Sequence, residues 1–394
     1  MQAFALQFVK QYAGVIVGSL GILLSAAGPS VSHASSAAAW LAGDQQQRLD
    51  EAIAFYTDIE EAGGWDSLPA DARLVPGARS DNVRLLRARL RVSGDFDDER
   101  MGADPLLFDI ALEDALKQFQ QRHGLAASGV VDRQTLAALN QSPADLLAML
   151  RDSRERWASL PEPDTSRRVW VNIPEASVQA VGAGGIELES KTIVGHPSRP
   201  TPELSSSIRR IVVHPSWTVP RSIAVNDILP RQLADPDYLA RNNIRVYSAG
   251  AEAEAEIQPA DIDWTRLNVN NFPYRLRQDP GPANSLGRYK FDFPNEHDVF
   301  LHDTPGLSLL GLSYRTLSSG CVRVEQSAAL AEWLTQEDSA AALAAAEGRP
   351  QSMTVAVRLS EPVPVDILYL TAWVAPGDGT VQFRYDVYGR IPVM

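Results

Sequence analysis

Apolar residues recur at a helical period from about residue 49 to 157 and at a strand period after 168, so hydrophobic patterning alone divides the chain. Leu49, Ala52, Ile53, Tyr56 and Ile59 form one stripe of an amphipathic helix, which Gly63-Gly64 stops. Residues 66–80 are rich in Pro, Gly, Ala and Asp and read as a connector. Val83, Leu86 and Leu90 form a second stripe, and Leu112, Ala115, Leu116 and Phe119 a third, at i, i+3, i+4 and i+7. Gly124 ends that helix, and Thr135, Leu136 and Leu139 begin a short one. His123 then belongs to a helix end rather than to a metal site. Ser142-Pro143-Ala144-Asp145 has a cap residue, a proline in the first turn and an early acid, the form of a helix start. Leu146, Leu150 and Trp157 lie on this helix, which ends before Pro161.

β-rich runs follow at 169–173, 186–194 and 208–213, separated by Gly and Pro. The strand pattern lapses between residues 220 and 282. Short helical pieces at 224–233 and 236–242 precede an irregular polar stretch there. A connection this long inside a sheet domain is usually functional, and a lid is the natural reading. Strand character returns at 289–293, 299–302, 353–359 and 382–388, with a helix at 326–334. The expected fold class is α+β multidomain. Residues 35–80 form an N-terminal helix and connector, 81–141 a three-helix module and 142–167 a linker helix. Residues 168–375 form a β-rich domain with a lid at about 220–282, and 376–394 a C-terminal strand extension.

At 394 residues, 45% hydrophobic and 22% charged, the chain can bury an ordinary core in two or three modules. A net charge of −13 argues against a nucleic-acid partner, which rewards a basic face. No G-x-x-x-x-G-K-[ST] loop is present, and none of the six histidines stands in an H-E-x-x-H motif, which argues against nucleotide and zinc chemistry. Near the start, Lys10 precedes an apolar run at 13–24, Gly28-Pro29 breaks it, and Ser32-His33-Ala34 offers a small-x-small cleavage site. Residues 1–34 therefore read as an export signal, cleaved or retained as a membrane anchor. No cysteine lies near enough to carry a lipid.

An exported chain with one cysteine focuses attention on that thiol. Cys321 lies in Ser318-Ser319-Gly320-Cys321-Val322-Arg323-Val324, nineteen residues after His302. A free thiol has a pKa of about 8.5, so a nearby imidazole is needed to take its proton. His302 ends the apolar run Val299-Phe300-Leu301, which holds its backbone in place. Gly320 permits a tight turn, and the N–H groups of Ser319, Gly320 and Cys321 are oxyanion-hole candidates. Taken singly, the cysteine reads as a small buried hydrophobe and the histidine as a structural hydrogen-bonder. Their combination with the Gly turn favours nucleophilic catalysis. Arg323 suits either a structural ion pair or a substrate carboxylate. Trp217, Tyr314 and Trp333 read as packing, and by residue type so does Tyr289.

Residues 112–125, with Gly129-Val130-Val131-Asp132 and residues 135–140, resemble the three-helix peptidoglycan-binding domain; a spacer without a ligand is the plainer alternative. The stretch from His302 to Val324 resembles the signature of the L,D-transpeptidase (YkuD-type) catalytic domain, H-G-T/S…S-H-G-C-x-R. Asn284-Ser285-Leu286-Gly287-Arg288-Tyr289-Lys290-Phe291 is similar to the family's N-x-L-G segment. Pro200-Thr201-Pro202 and His214-Pro215-Ser216-Trp217-Thr218-Val219-Pro220 extend the likeness, and the helical module and insertion point to the YcbB-like subgroup. Two departures stand out: Ser319 replaces the second His of S-H-G-C, and Asp303 replaces the Gly after the first His.

The resemblance implies Cys321 as nucleophile and His302 as base, with the Asp303 carbonyl orienting the ring and Ser319, Gly320 and Cys321 around the oxyanion. Arg323, Arg288 and Tyr289 become candidates for substrate contact. It further implies a peptidoglycan tetrapeptide donor cut after meso-diaminopimelate, with D-Ala leaving. A second stem's amine then gives a 3→3 cross-link under a closing lid, in the periplasm and with no cofactor. Cell-wall synthases are possible partners. Water, a lipoprotein lysine or a D-amino acid as acceptor are alternatives on the same chemistry, and a non-catalytic peptidoglycan-binding scaffold is a third class.

Overall fold

The computed structural model describes residues 42–97, 104–160, 167–183, 185–248, 255–375 and 379–392. The expected signal or anchor lies outside them. No helix among the described residues is long and apolar enough to cross a membrane.

Five helices come first: α1 (Ala42–Glu61), α2 (Asp81–Val92), α3 (Ile110–Arg122), α4 (Arg133–Leu139) and α5 (Pro143–Ser159). Their starts follow from capping chemistry. Asp109 accepts from Leu112 N at 3.0 Å and Asp132 from Thr135 N at 2.8 Å. Ser142 and Asp145 form a reciprocal capping box. The expected stripes are the observed buried faces, with Val83, Leu86, Leu90, Leu112, Leu116, Phe119 and Leu139 sharing one core. Residues 66–80 are more than a connector. Leu68, Ala72 and Leu74 are buried in that same core, and Leu74 bridges Val131. Their apolar spacing has no regular period, so sequence patterning could not show that they pack.

Nine strands build the main sheet: β1 (Arg168–Asn172), β2 (Ser177–Gly182), β3 (Gly185–Gly195), β4 (Leu204–Val213), β9 (Tyr289–Asp292), β10 (Leu301–His302), β11 (Thr316–Ser318), β12 (Val322–Val324) and β13 (Val355–Leu368). Their order is β11-β3-β12-β10-β9-β4-β13-β1-β2, and a further β2–β3 pairing closes the sheet on itself. Val169, Val171, Val178, Ile211, Phe291, Leu301, Val322, Val324 and Val365 fill one face of it. After β12 come α6 (Ser327–Leu334) and α7 (Glu337–Glu347), which contribute Leu330, Leu334 and Leu343 to the same core. On β1, Trp170 points the other way and packs with α1, α5 and the hairpin of β14 (Ala372–Val374) and β15 (Val381–Phe383).

Three differences from the sequence reading have physical reasons. β2, Ser-Val-Gln-Ala-Val-Gly, is short and glycine-ended, and it gains its definition from pairing with both β1 and β3. β13 runs on to Leu368 past Pro362 and Pro364, with a register shift between Arg358 and Val363. Residues 217–278 are not irregular after the helical stretch. They carry β5 (Trp217–Thr218), β6 (Ile244–Ser248), β7 (Glu256–Ile257) and β8 (Tyr274–Gln278), a four-stranded sheet with a core of its own around Val219, Leu239, Val246 and Leu276. The insertion is a folded subdomain.

Candidate active site

β10 and β12 are parallel neighbours, with Leu301 opposite Val322 and His302 opposite Arg323. Side chains alternate along a strand. Leu301, Val322 and Val324 enter the core, so His302 and Arg323 project from the opposite face. Cys321, immediately before β12, is partly exposed, whereas His302 is buried. The chain between them runs through a 3₁₀ turn, Leu307–Gly311, and then along β3 as β11.

The turn that carries Cys321 is held by side chains the sequence reading did not single out. Ser318 Oγ donates to Cys321 O at 2.5 Å and accepts from Gly320 N at 3.2 Å. Thr201 Oγ donates to Gly320 O at 2.8 Å and accepts from Gly195 N at 2.8 Å. Tyr388 adds a further clamp, donating to Gly195 O and accepting from Thr201 N. Gly320 has φ +114°, a conformation that residues with a Cβ rarely adopt. Its N–H is therefore already engaged, while among the described residues no partner holds the N–H groups of Ser319 and Cys321. Pro200-Thr201-Pro202 was the one sequence signal for the Thr201 clamp.

His302 Nδ1 lies 2.5 Å from the carbonyl oxygen of Asp303. A carbonyl only accepts, so in the neutral ring Nδ1 carries the hydrogen and Nε2 is left with its lone pair. The Asp303 carboxylate explains the departure from Gly at this position. It accepts from Arg288 N at 2.6 Å and from Ser327 Oγ at 2.9 Å. It lies so close to Gly287 that a Cβ there would stand 2.4 Å from Oδ2, and Gly287 has φ +63°. Asn284 shapes this loop by accepting from Leu286 N and donating to Asp279 O. Asp303 thus ties the His302 strand to the N-x-L-G loop and to α6.

Burial favours the neutral form of both His302 and Cys321. Burial pushes the His302 pKa down to about 3, with the Arg323 charge adding to the effect and the Asp303 and Leu286 carbonyls opposing it. Burial pushes the Cys321 thiol up to about 11, opposed by the Phe300 backbone and by Lys290 and Arg323. Burial also lowers the Arg323 pKa. The Arg323 guanidinium has no carboxylate partner among the described residues, and its buried Nε is unpaired.

The remaining candidates lie elsewhere. Tyr289 is buried in the sheet core and donates its hydroxyl to Glu347. Arg288 is exposed, with its guanidinium 5.4 Å from the Tyr289 ring centroid. The structure sets His302 beside Arg323 and Asp303 and places Cys321 at the head of β12 after Ser319 and Gly320, but it directs the Tyr289 side chain into the core on the opposite face. His123, at the end of α3, stacks between Phe119 and Phe383. No group of three or more His, Cys, Asp or Glu among the described residues is placed to hold a metal ion.

Residues 166–380, more than half of the chain, match YkuD, the L,D-transpeptidase catalytic domain. The chain belongs to this family. Residues 79–139 match the family described as "Putative peptidoglycan binding domain", over the helices that share the α2–α4 core. A Haemophilus influenzae protein named "Putative L,D-transpeptidase" is 37% identical over 227 residues, 58% of this chain and 45% of that protein. The match therefore spans less than half the length of this curated relative. Among solved structures, an L,D-transpeptidase from Stackebrandtia nassauensis shares 13% identity, with 77% of this chain and 97% of that one covered at a TM-score of 0.29. One from Xylanimonas cellulosilytica shares 17% identity, with 76% and 99% covered at a TM-score of 0.24.

Proposed function

We propose that this YkuD-family protein is a cysteine L,D-transpeptidase acting on peptidoglycan stem peptides in the periplasm. The observation that carries this reading is the parallel pairing of β10 with β12, the strand that begins directly after Cys321, with His302 opposite Arg323 two residues beyond the thiol. With both groups neutral at rest, proton transfer accompanies attack rather than preceding it. The Cys321 sulfur adds to the amide carbonyl while His302 Nε2 takes the thiol proton. Charge developing on the oxygen is met by the N–H groups of Cys321 and Ser319. Collapse breaks the C–N bond, His302 returns the proton to the departing amine, D-Ala leaves, and a thioester remains. An acceptor amine then attacks the thioester, loses a proton through His302, and releases the thiol.

The donor in this proposal is a tetrapeptide cut after meso-diaminopimelate, and the acceptor is a second stem, giving a 3→3 cross-link. Arg323 supplies an uncompensated cation for a substrate carboxylate. The α2–α4 module would hold glycan strands near the cleft. The insertion at 217–278, whose Asp227 pairs with Arg199 at 2.5 Å beside the Thr201 clamp, would close over the acyl-enzyme and exclude water.

The test is incubation of the purified protein with disaccharide-tetrapeptide, with products resolved by mass spectrometry beside Cys321→Ala. A dimer lacking one D-Ala is expected from the wild type and nothing from the variant. A tripeptide alone would replace transpeptidation by hydrolysis. No Cys321-linked intermediate and no product would leave a scaffold role.

A further inference from the structure

His302 occupies the middle of a cross-strand row. β10 pairs with β9 on one side and β12 on the other, and the two registers set Lys290, His302 and Arg323 abreast. Directly paired residues project to the same face of a sheet, so both cations share the face of the imidazole. Side-chain contacts agree with the register. Lys290 Nζ lies 4.3 Å from the Phe300 ring centroid, and that ring lies 5.6 Å from the His302 ring. The charges of Lys290 and Arg323 both act on His302 and on Cys321.

Asp298 is an anion that acts on Cys321, but the cations of this row are short of paired carboxylates. Arg323 has no ion pair among the described residues, and its Nε is buried without a partner. Lys290 Nζ lies 2.8 Å from Asp292 Oδ1, but Arg210 Nε holds Oδ2 of the same carboxylate at 2.7 Å. One anion therefore serves two cations, and the third has none. The local excess is opposite in sign to the molecule's net charge of −13. A desolvated cation without a counter-ion is costly, and a bound anion relieves that cost.

Position along the row separates the two cations. Cys321 and Arg323 lie on the β12 side of His302, and Lys290 lies on the β9 side. In the proposed acyl transfer, the sulfur holds the acyl portion on the β12 side. The leaving amine must approach His302 to be protonated, so the residue it belongs to extends toward β9. We propose that Lys290 is a substrate-binding residue that takes the free carboxylate of the leaving amino acid, while Arg323 faces the acyl portion on the other side of His302. This assignment rests on the cysteine acyl-transfer reading and deepens it: the donor must end in a carboxylate one residue beyond the attacked carbonyl. An ammonium suits this task, as a compact charge on a flexible stem that can follow the leaving group outward.

The experiment compares a tetrapeptide donor ending in a free carboxylate with the same peptide as its carboxamide. The rate of thioester formation on Cys321 is read by intact-protein mass spectrometry across a concentration series, and thermal melts check that each variant is folded. Wild type should prefer the carboxylate by tenfold or more, mainly through KM. Lys290→Met should collapse that ratio toward one, Lys290→Arg should restore most of it, and Arg323→Met should slow both donors while preserving the ratio. A wild type that reacts equally with both donors, or a Lys290→Met protein that keeps the preference, overturns the assignment alone. A wild type forming no thioester with either donor overturns the acyl-transfer reading and the assignment with it.

Discussion

Cys321 and His302 are tuned by where they sit rather than by each other's charge. Burial raises the thiol to about 11 and depresses the imidazole to about 3, so a preformed thiolate–imidazolium pair is disfavoured in the resting protein. Thiolate absorbance followed against pH should therefore rise with a midpoint near 11; a midpoint below 8 would show an ion pair instead. The adjoining glycine is a second pressure point. Gly320→Ala must force a Cβ-bearing residue to φ +114°, a strain of about 1–3 kcal/mol. We expect acylation to fall at least tenfold with the fold retained, checked by carbapenem adduct formation and circular dichroism. Cys321, His302 and this glycine could be singled out from residue type and motif. Ser318 and Thr201 were not, because a hydroxyl's role depends on which main-chain groups come within about 3 Å of it.

Helices declared themselves through caps and stripes, which are local properties. The Ser142–Asp145 box satisfies the first amides of α5, and Ser142→Ala should cost about 1 kcal/mol in urea unfolding. The inserted segment was legible only as an interruption. Its strands are two to five residues long and pair mainly with one another, so no extended alternating run marks them. As a folded subdomain with its own core, joined to the main sheet at its two ends, it should be removable. Replacing residues 220–276 by a short Gly-Ser link, while retaining β5, should raise hydrolysis relative to cross-linking in the disaccharide-tetrapeptide assay. An unchanged ratio would count against a lid.

Packing across elements makes the helical module and the sheet one body. Arg384, next to β15, donates to Arg122 O at 3.1 Å and to Glu175 at 2.8 Å, and it lies against Gly124, where a Cβ would meet its side chain at 2.5 Å. The buried histidines make this body sensitive to acid. His302 has a folded pKa of about 3, below its ordinary 6.5, so the fold binds fewer protons than the unfolded chain between those values. The stability it supports is complete above about pH 6.5 and is lost as pH falls toward 3. His123, stacked between two rings and depressed by burial and by Arg122, acts in the same direction. Melting temperature should therefore drop steadily below pH 6.5, with a shallower slope in His302→Gln.

Period, caps and motif spacing were enough to read the helices of the small module, most of the strands and the Cys321–His302 spacing, since each single element or motif is written within about twenty consecutive residues. The closed sheet, the clamp around Gly320 and the Lys290–His302–Arg323 row were not, since each joins segments whose pairing is decided by which faces can be buried together. The β3–β12 and β1–β13 pairings are the clearest cases: they align strands more than a hundred residues apart, whose order in space no local pattern encodes. The same register that buries Leu301 and Val322 in the core is what sets His302 and Arg323 side by side on the other face.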